Sequence, residues 1–371
     1  MSVTFHAMWI SLLIAIPPAW SAQQDAAESV HGVVLPQEDG GSPESLTPMP
    51  ATLATNPPND PRRAAYRIDM NRARRNKERQ QYVEAAKYYQ SAYNAARGVF
   101  GDLSEEARIA VTLLAEMQLK VGHLADANRS FHSALAILES HPNARNFDKA
   151  LVLNGLAAVQ HMLGNVAKAA DLMRQAVGMF ESDSTASRES FGGALSNLAT
   201  TLRDVGNVPE AMKAAQRAVS ILESCRNSDN FAISLVTLGQ VDLDSGDPAA
   251  AEAAYQRALK IVDSLSKEDT PTRALVFTHL GVLYGKTGRG PQAESYFSRA
   301  VGIYRRLFSP EHPVLLDSMT AYATFLRAAK RKTEARKLEA YVRDQREKYR
   351  QENPSVAYVV DASSLRAPGS R

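Results

Sequence analysis

The sequence predicts an all-α chain, an α-solenoid of about seven helix-turn-helix repeats, and three observations predict it. Small residues recur at nearly fixed steps, apolar residues flank them at helical spacing, and in most copies a glycine separates the two helical stretches. With Gly246 as the origin of one copy, equivalent origins fall at Gln80, Gly122, Gly164, Gly206, Gly288 and Lys330, giving steps of 42, 42, 42, 40, 42 and 42 residues. Such a period marks a repeat architecture in which each unit contacts its neighbours.

Within a copy, the apolar residues eleven, eight and four before the origin share a helix face with a small residue seven before it, because spacings of three and four superpose on a helix. In the sixth copy these are Phe277, Leu280, Tyr284 and Gly281. The small position reads Ala73, Ala115, Ala157, Ala199, Gly239, Gly281 and Ala323 across the copies. After the origin, positions five, nine and twelve define the face of a second helix. Five after, every copy has alanine: Ala85, Ala127, Ala169, Ala211, Ala251, Ala293 and Ala335. Twelve after, six copies have alanine and the last has Val342. Glycine at the origin suits a left-handed residue that ends the first helix. Asp247-Pro248 then supplies an N-cap and a first-turn proline, and Asn165 and Asn207 are placed to cap likewise.

The order large, large, small, large, turn, Ala, aromatic, Ala, as in Phe277, Leu280, Gly281, Tyr284, Gly288, Ala293, Phe297 and Ala300, resembles the tetratricopeptide repeat. The 42-residue step and the inter-repeat segments His141-Pro142 and Glu311-His312-Pro313 are similar to the kinesin light chain variety. The resemblance covers residues 62–350. It implies a right-handed α-solenoid whose concave wall is lined by the first helix of each copy. The end copies depart from the pattern: Asp69 and Arg72 replace apolar residues in the first, and Lys330 and Glu339 replace glycine and the aromatic in the last. Polar outer faces of this kind suit terminal caps. The fourth step is short by two residues, lost between Ala218 and Leu235.

Outside the repeats, residues 1–22 hold an apolar run, Met8 to Ile16, followed by Pro17-Pro18 and by Ala19 and Ser21 at cleavage spacing. The run is short of the roughly 20 residues a membrane span needs and reads as a signal peptide, which places the mature chain in the periplasm or outside the cell, with no membrane span; without export it is cytoplasmic. Residues 23–61 are rich in Pro, Ser, Thr, Gly and acids and read as a disordered linker. Residues 351–371 form a tail that contains the strand-like run Val356-Ala357-Tyr358-Val359-Val360 and reads as an unstructured end.

Composition narrows the chemistry. One cysteine, Cys225, excludes an internal disulfide framework and multi-cysteine metal sites. Gly285-Lys286-Thr287 lacks the glycine spacing and strand of a phosphate loop. Asp242, Asp244 and Asp247 crowd one turn, but Gly246 stands where a calcium ligand is needed. No two histidines have the spacing of a helical metal site. No nucleophile elbow or dinucleotide loop is present, so neither an enzyme nor a cofactor is expected. Net charge is +3, but residues 61–80 carry eight Arg or Lys against Asp69 and Glu78, and residues 327–350 carry ten against four acids. Basic ends leave open a peripheral contact with an anionic membrane surface and a nucleic-acid alternative, although polar caps account for them without either.

Function is therefore expected in binding. Positions ten, six and three before each origin are not claimed by packing, and the resemblance implies that they face the groove. The candidate groove residues are Asn154 and His161 in the third copy and Ser196, Thr200 and Arg203 in the fourth. Val236, Gln240 and Leu243 follow in the fifth, Thr278 and Val282 in the sixth, and Thr320, Thr324 and Arg327 in the last. Asn197 joins them as the one match to the family's carboxylate-clamping asparagines. This small, polar wall suits an extended peptide or partner helix held by hydrogen bonds and shallow apolar contacts. The expected role is a non-enzymatic scaffold, exported and serving envelope assembly or secretion. A cytoplasmic regulatory adaptor is the alternative.

Overall fold

In copies two to seven the residue that ends the first helix does so by one backbone geometry. A computed structural model of the chain describes residues 60–79, 81–184, 186–225 and 228–352. Within them Gly122, Gly164, Gly206, Gly246 and Gly288 all have φ between 77° and 87°, and Lys330 follows at 63°. Each closes a paired cap: at the fifth copy Gly246 N–H donates to the Leu243 carbonyl at 3.3 Å and Asp247 N–H to the Asp242 carbonyl at 2.9 Å. These are the two bonds of a Schellman motif, which satisfy carbonyls a helix end otherwise leaves open. Gln80, the first origin, lies outside the described residues, as do the signal peptide, the linker up to residue 59 and the tail from residue 353.

Fourteen helices result among the described residues, two per copy: α1 Pro61–Glu78, α2 Tyr82–Phe100, α3 Glu105–Lys120, α4 Leu124–Glu139, α5 Asn146–Met162, α6 Val166–Ser182, α7 Arg188–Asp204, α8 Val208–Leu222, α9 Asp229–Asp244, α10 Pro248–Leu265, α11 Pro271–Lys286, α12 Gly290–Leu307, α13 Pro313–Ala328 and α14 Lys332–Glu352. The predicted start signals act at several of them. Asp247 accepts from Ala250 N–H at 2.9 Å and Asn207 from Glu210 N–H at 3.3 Å. Asn165 does not cap as expected: its side chain donates back to Gln160 Oε1 at 3.0 Å, which takes it off the helix end. The two-residue deletion is absorbed between α8 and α9, where α8 is the shortest helix and a 3-10 turn, Glu223–Cys225, holds the cysteine.

The small positions explain why the helices cross so closely. The alanine five after the origin is fully buried in all seven copies, and so is every small residue seven before it. In the fifth and sixth copies a methyl group there would crowd the ring of the second helix: a Cβ at Gly239 would sit 2.6 Å from Tyr255 Cε1, and one at Gly281 would sit 3.0 Å from the Phe297 ring. The end copies differ as their composition predicts. Asp69 accepts from Ser91 at 2.6 Å, and Glu339 binds Arg327 at 2.6 Å, on surfaces that no further repeat covers.

The array curls until its last helix meets its second copy. The Tyr349 hydroxyl of α14 donates to the Val121 carbonyl at 2.5 Å, although 228 residues separate them. A Cβ at Gly122 would overlap that hydroxyl. Met162, at the end of α5, also packs against the apolar cluster that contains Val342 of α14.

Two outcomes test these assignments. Lys330→Gly should raise the urea midpoint, because a left-handed backbone costs an L-residue with a Cβ about 1 kcal/mol; an unchanged midpoint would mean that the turn relaxes. Gly164 has the same backbone as Gly122 but open space around it. Gly122→Ala should therefore lower the midpoint more than Gly164→Ala, and Tyr349→Ala should remove the excess if the contact with α14 causes it.

Candidate functional site on the inner wall

Consecutive first helices, α5, α7, α9, α11 and α13, stand side by side, and polar side chains bridge them. Asn197 donates to Asn154 Oδ1 at 3.1 Å, Ser196 and Ser234 share a 2.6 Å bond, and Thr278 and Ser318 share one of 3.0 Å. A longer chain crosses four copies. His161 Nε2 bonds Asp204 Oδ2 at 2.8 Å, Arg203 donates to Asp204 at 2.9 Å and to Gln240 Oε1 at 2.7 Å, and the Gln240 amide donates to the His279 ring at 2.8 Å. Burying these groups without such partners would cost a few kcal/mol each, so the bonds are a condition of the close packing.

This packing corrects part of the predicted groove. Asn154, His161, Ser196, Asn197, Thr200, Val236 and Thr278 are buried between neighbouring first helices instead of lining an open wall, because small residues at those positions let the helices close over them. Thr320 is half-buried, Thr324 and Arg327 are exposed, and Arg327 is engaged with Glu339. Arg203, Gln240, Leu243, Val282 and Thr324 are brought together around one cavity of about 370 Å³.

Four copies build that cavity. Arg203 and Asp204 come from the end of α7, Gln240, Leu243 and Asp244 from α9, and His279, Gly281, Val282, Gly285 and Lys286 from α11. Ala321, Thr324, Phe325 and Ala328 of α13 close one side, and Tyr255 and Phe297 reach it from the second helices α10 and α12. Sequence reasoning assigned Tyr255 and Phe297 to packing alone. The signal that could have found them is the glycine opposite each: only Gly239 and Gly281 replace alanine at that position, and these bare backbones leave room for the rings.

The site is electrostatically balanced. Arg203 lies 3.6 Å from Asp244 besides its bond to Asp204, and Lys286 lies 4.0 Å from Asp244, so two cations face two carboxylates. Burial acts to raise the Asp204 pKa, but the hydrogen bond from His161 and the charge of Arg203 outweigh it and hold the carboxyl below its usual value. Burial, with Arg203 nearby, pushes His279 down to about 3, so the ring is neutral. Burial pushes the Tyr255 phenol up, so it keeps its proton. The Tyr255 hydroxyl is fully buried and has no hydrogen-bond partner. No serine or cysteine lines the cavity. Among the described residues no cluster of three or more His, Cys, Asp or Glu is arranged to hold a metal ion. Lys286, the lysine of the rejected phosphate-loop reading, ends a helix that Thr287 caps.

The repeat geometry and its sequence pattern agree with known proteins. Tetratricopeptide repeat family models match residues 150–175, 191–264 and 272–346. The chain is a tetratricopeptide-repeat protein. Among solved structures, this tetratricopeptide-repeat chain is similar to the apo form of RapI, at 13% identity and a TM-score of 0.61 over 77% of this chain and 99% of that one. It is also similar to a Rap protein complexed with Competence and Sporulation Factor, at 14% identity and a TM-score of 0.58 over 95% and 94%. BtubC (BKLC) from P. vanneervenii matches at 22% identity and a TM-score of 0.45 over 67% and 93%. At these identities the likeness concerns the fold. A search of curated proteins finds no match. No helix among the described residues is long and apolar enough to cross a membrane.

The buried histidines predict a pH dependence. Unfolded imidazoles take up protons near pH 6.5, whereas folded His279 and His312, the latter lowered to about 4 by burial, stay neutral well below it. Over that window the unfolded state binds more protons, so each histidine lowers stability on acidification, by at most about 1.4 kcal/mol per pH unit. Asp242, pushed up to about 6 by partial burial and by Asp247, acts in the opposite sense over part of the range. The test is the slope of the urea midpoint with pH: His279→Gln should flatten the fall from about pH 7 to about pH 5, and an unaltered slope would mean that His279 is protonated in the fold.

Proposed function

We propose that this protein is a non-enzymatic scaffold that holds an extended peptide or partner helix against the inner wall of its last four copies. The observation that carries the reading is the cavity that Arg203, Gln240, Leu243, Val282 and Thr324 share, with hydrogen-bonding groups at one end and apolar walls at the other. Such a mixture orients and holds a ligand, and its groups include no activated nucleophile. The fold supports the same role, since a Rap protein of this fold is complexed with Competence and Sporulation Factor.

The basic ends give less support to a nucleic-acid or anionic-surface role. Arg331 pairs with Glu294 at 2.7 Å, Arg346 with Asp317 at 2.6 Å, and Lys77 with Glu116 at 3.3 Å, so part of that charge is spent within the fold. Export, and with it a place in envelope assembly or secretion, rests on residues 1–22. Mass spectrometry of the native amino terminus tests it: a mature chain that starts near residue 22 supports export, and retention of Met1 favours the cytoplasmic adaptor.

The binding role is tested by crosslinking in cells, followed by identification of what the tagged protein captures. Leu243→Glu with Val282→Glu places two charges on half-buried positions of the wall and should reduce capture of the main partner by at least about tenfold, the order expected for losing a central apolar contact. Undiminished capture by a variant that melts like the parent would place the binding surface elsewhere.

A further inference from the structure

We propose that the inner-wall cavity is a selectivity pocket for a neutral aromatic side chain with a hydroxyl at its tip, a tyrosine of the bound partner peptide. The inference rests on the reading of the inner wall as a binding surface and specifies what one part of that surface accepts.

Charge is the first constraint. Arg203 and Lys286 are matched by Asp204 and Asp244 within the cavity, at separations of 2.9 to 4.0 Å. A carboxylate entering would compete with Asp244 for Arg203 and Lys286, and an ammonium or guanidinium would compete with Arg203 for its acids. Either occupant gains one ion pair by breaking another, and in a partly buried site it is desolvated as well. A neutral occupant leaves the set intact.

Polarity is the second constraint. The Tyr255 hydroxyl has no hydrogen-bond partner, and its side chain is wholly buried. Tyr255 belongs to α10, behind the first helices that form the wall, and it lines the cavity beside the neutral His279, whose ring centroid is 5.8 Å from that of Tyr255. A buried hydroxyl without a partner costs stability, and a ligand that supplies one recovers it. Since a phenol both donates and accepts, it can pair with Tyr255 in either direction.

Shape is the third constraint. Leu243 and Val282 line the cavity together with Phe297 and Phe325, whose ring centroids are 5.6 Å apart. Gly281 and Gly285 present no side chains of their own there, and a Cβ on Gly285 would already press on the Phe325 ring at 3.0 Å. The volume of about 370 Å³ is at the small end of ligand pockets and admits one ring with its tip with room to spare. Serine and threonine bring a hydroxyl without a ring, leucine and phenylalanine bring no polar tip, and lysine, arginine and glutamate bring charge.

The test uses the full chain and two small probes, N-acetyltyrosinamide and N-acetylphenylalaninamide, titrated against protein labelled at its leucine and valine methyl groups. The tyrosine probe should shift the Leu243 and Val282 signals and bind roughly two- to tenfold more tightly than the phenylalanine probe, the factor one added hydrogen bond provides. Tyr255→Phe should melt at or above the temperature of the parent, because its hydroxyl has no partner in the protein, and should abolish the preference. Equal affinities, a preference that survives Tyr255→Phe, or no shift with either probe up to its solubility would overturn the proposal. A marked fall in the melting temperature of Tyr255→Phe would also overturn it, since the hydroxyl would then be bonded within the fold. If the preference is absent while Leu243→Glu with Val282→Glu still reduces partner capture, the binding wall stands without this pocket; undiminished capture removes the wall itself.

Discussion

The close crossing of two helices at three small residues is the constraint on which the rest of the molecule depends. An alanine or glycine seven before the turn meets an alanine five after it, and the second helix is held there again by a small residue twelve after the turn. Interiors pack densely enough that one added methyl group is felt, so these positions leave no latitude. Repeating the crossing at a constant step makes each pair a copy of the last, and the stack then has one inner and one outer wall. The left-handed residue at the origins of copies two to seven sets the angle at which the second helix returns, which is why Lys330 adopts the backbone of the glycines despite its side chain.

Tight stacking has a second effect, on polar groups. First helices that approach through small residues bury the polar side chains between them, and these bond to the next copy, as Ser196 does with Ser234, or to their own helix, as Thr200 does with the Ser196 carbonyl. The chain from His161 through Asp204, Arg203 and Gln240 to His279 links such groups across four copies. It also holds Arg203 and Gln240 in place at the cavity, so the proposed binding wall is preorganised by the bonds that let the repeats pack. On the outer wall, second helices are joined by exposed pairs such as Arg174 with Glu210 at 2.9 Å and Arg257 with Glu223 at 2.7 Å. Exposed pairs of this kind contribute little each.

The cavity lies where this regularity is broken. Copies five and six replace the alanine seven before the origin by glycine, and the rings of Tyr255 and Phe297 occupy the room. Copy six adds Gly285 further along α11, beside Phe325 of α13. The cavity is thus a departure from the repeat: residues that keep the pattern are used for packing, and the cluster that breaks it forms the cavity.

The sequence by itself determined the number of copies, the turn at the origins of copies two to seven, the fully buried alanines and the polar character of both ends, because each follows from local geometry that recurs at a known spacing. It also named Arg203, Gln240, Leu243, Val282 and Thr324 as groove candidates, and these five share the lining of one cavity. It misplaced Asn154, His161, Ser196, Asn197, Thr200, Val236 and Thr278, since spacing within one helix says which face a residue is on and not how near the next copy's helix comes. Only the tertiary structure decided that distance. It also decided that Tyr255 and Phe297 reach through from the second layer, that Arg203 and Lys286 are balanced by Asp204 and Asp244, and that Tyr349 returns to Val121 across 228 residues. These facts depend on the angle between successive copies, a small rotation that accumulates over seven repeats and that no single copy encodes.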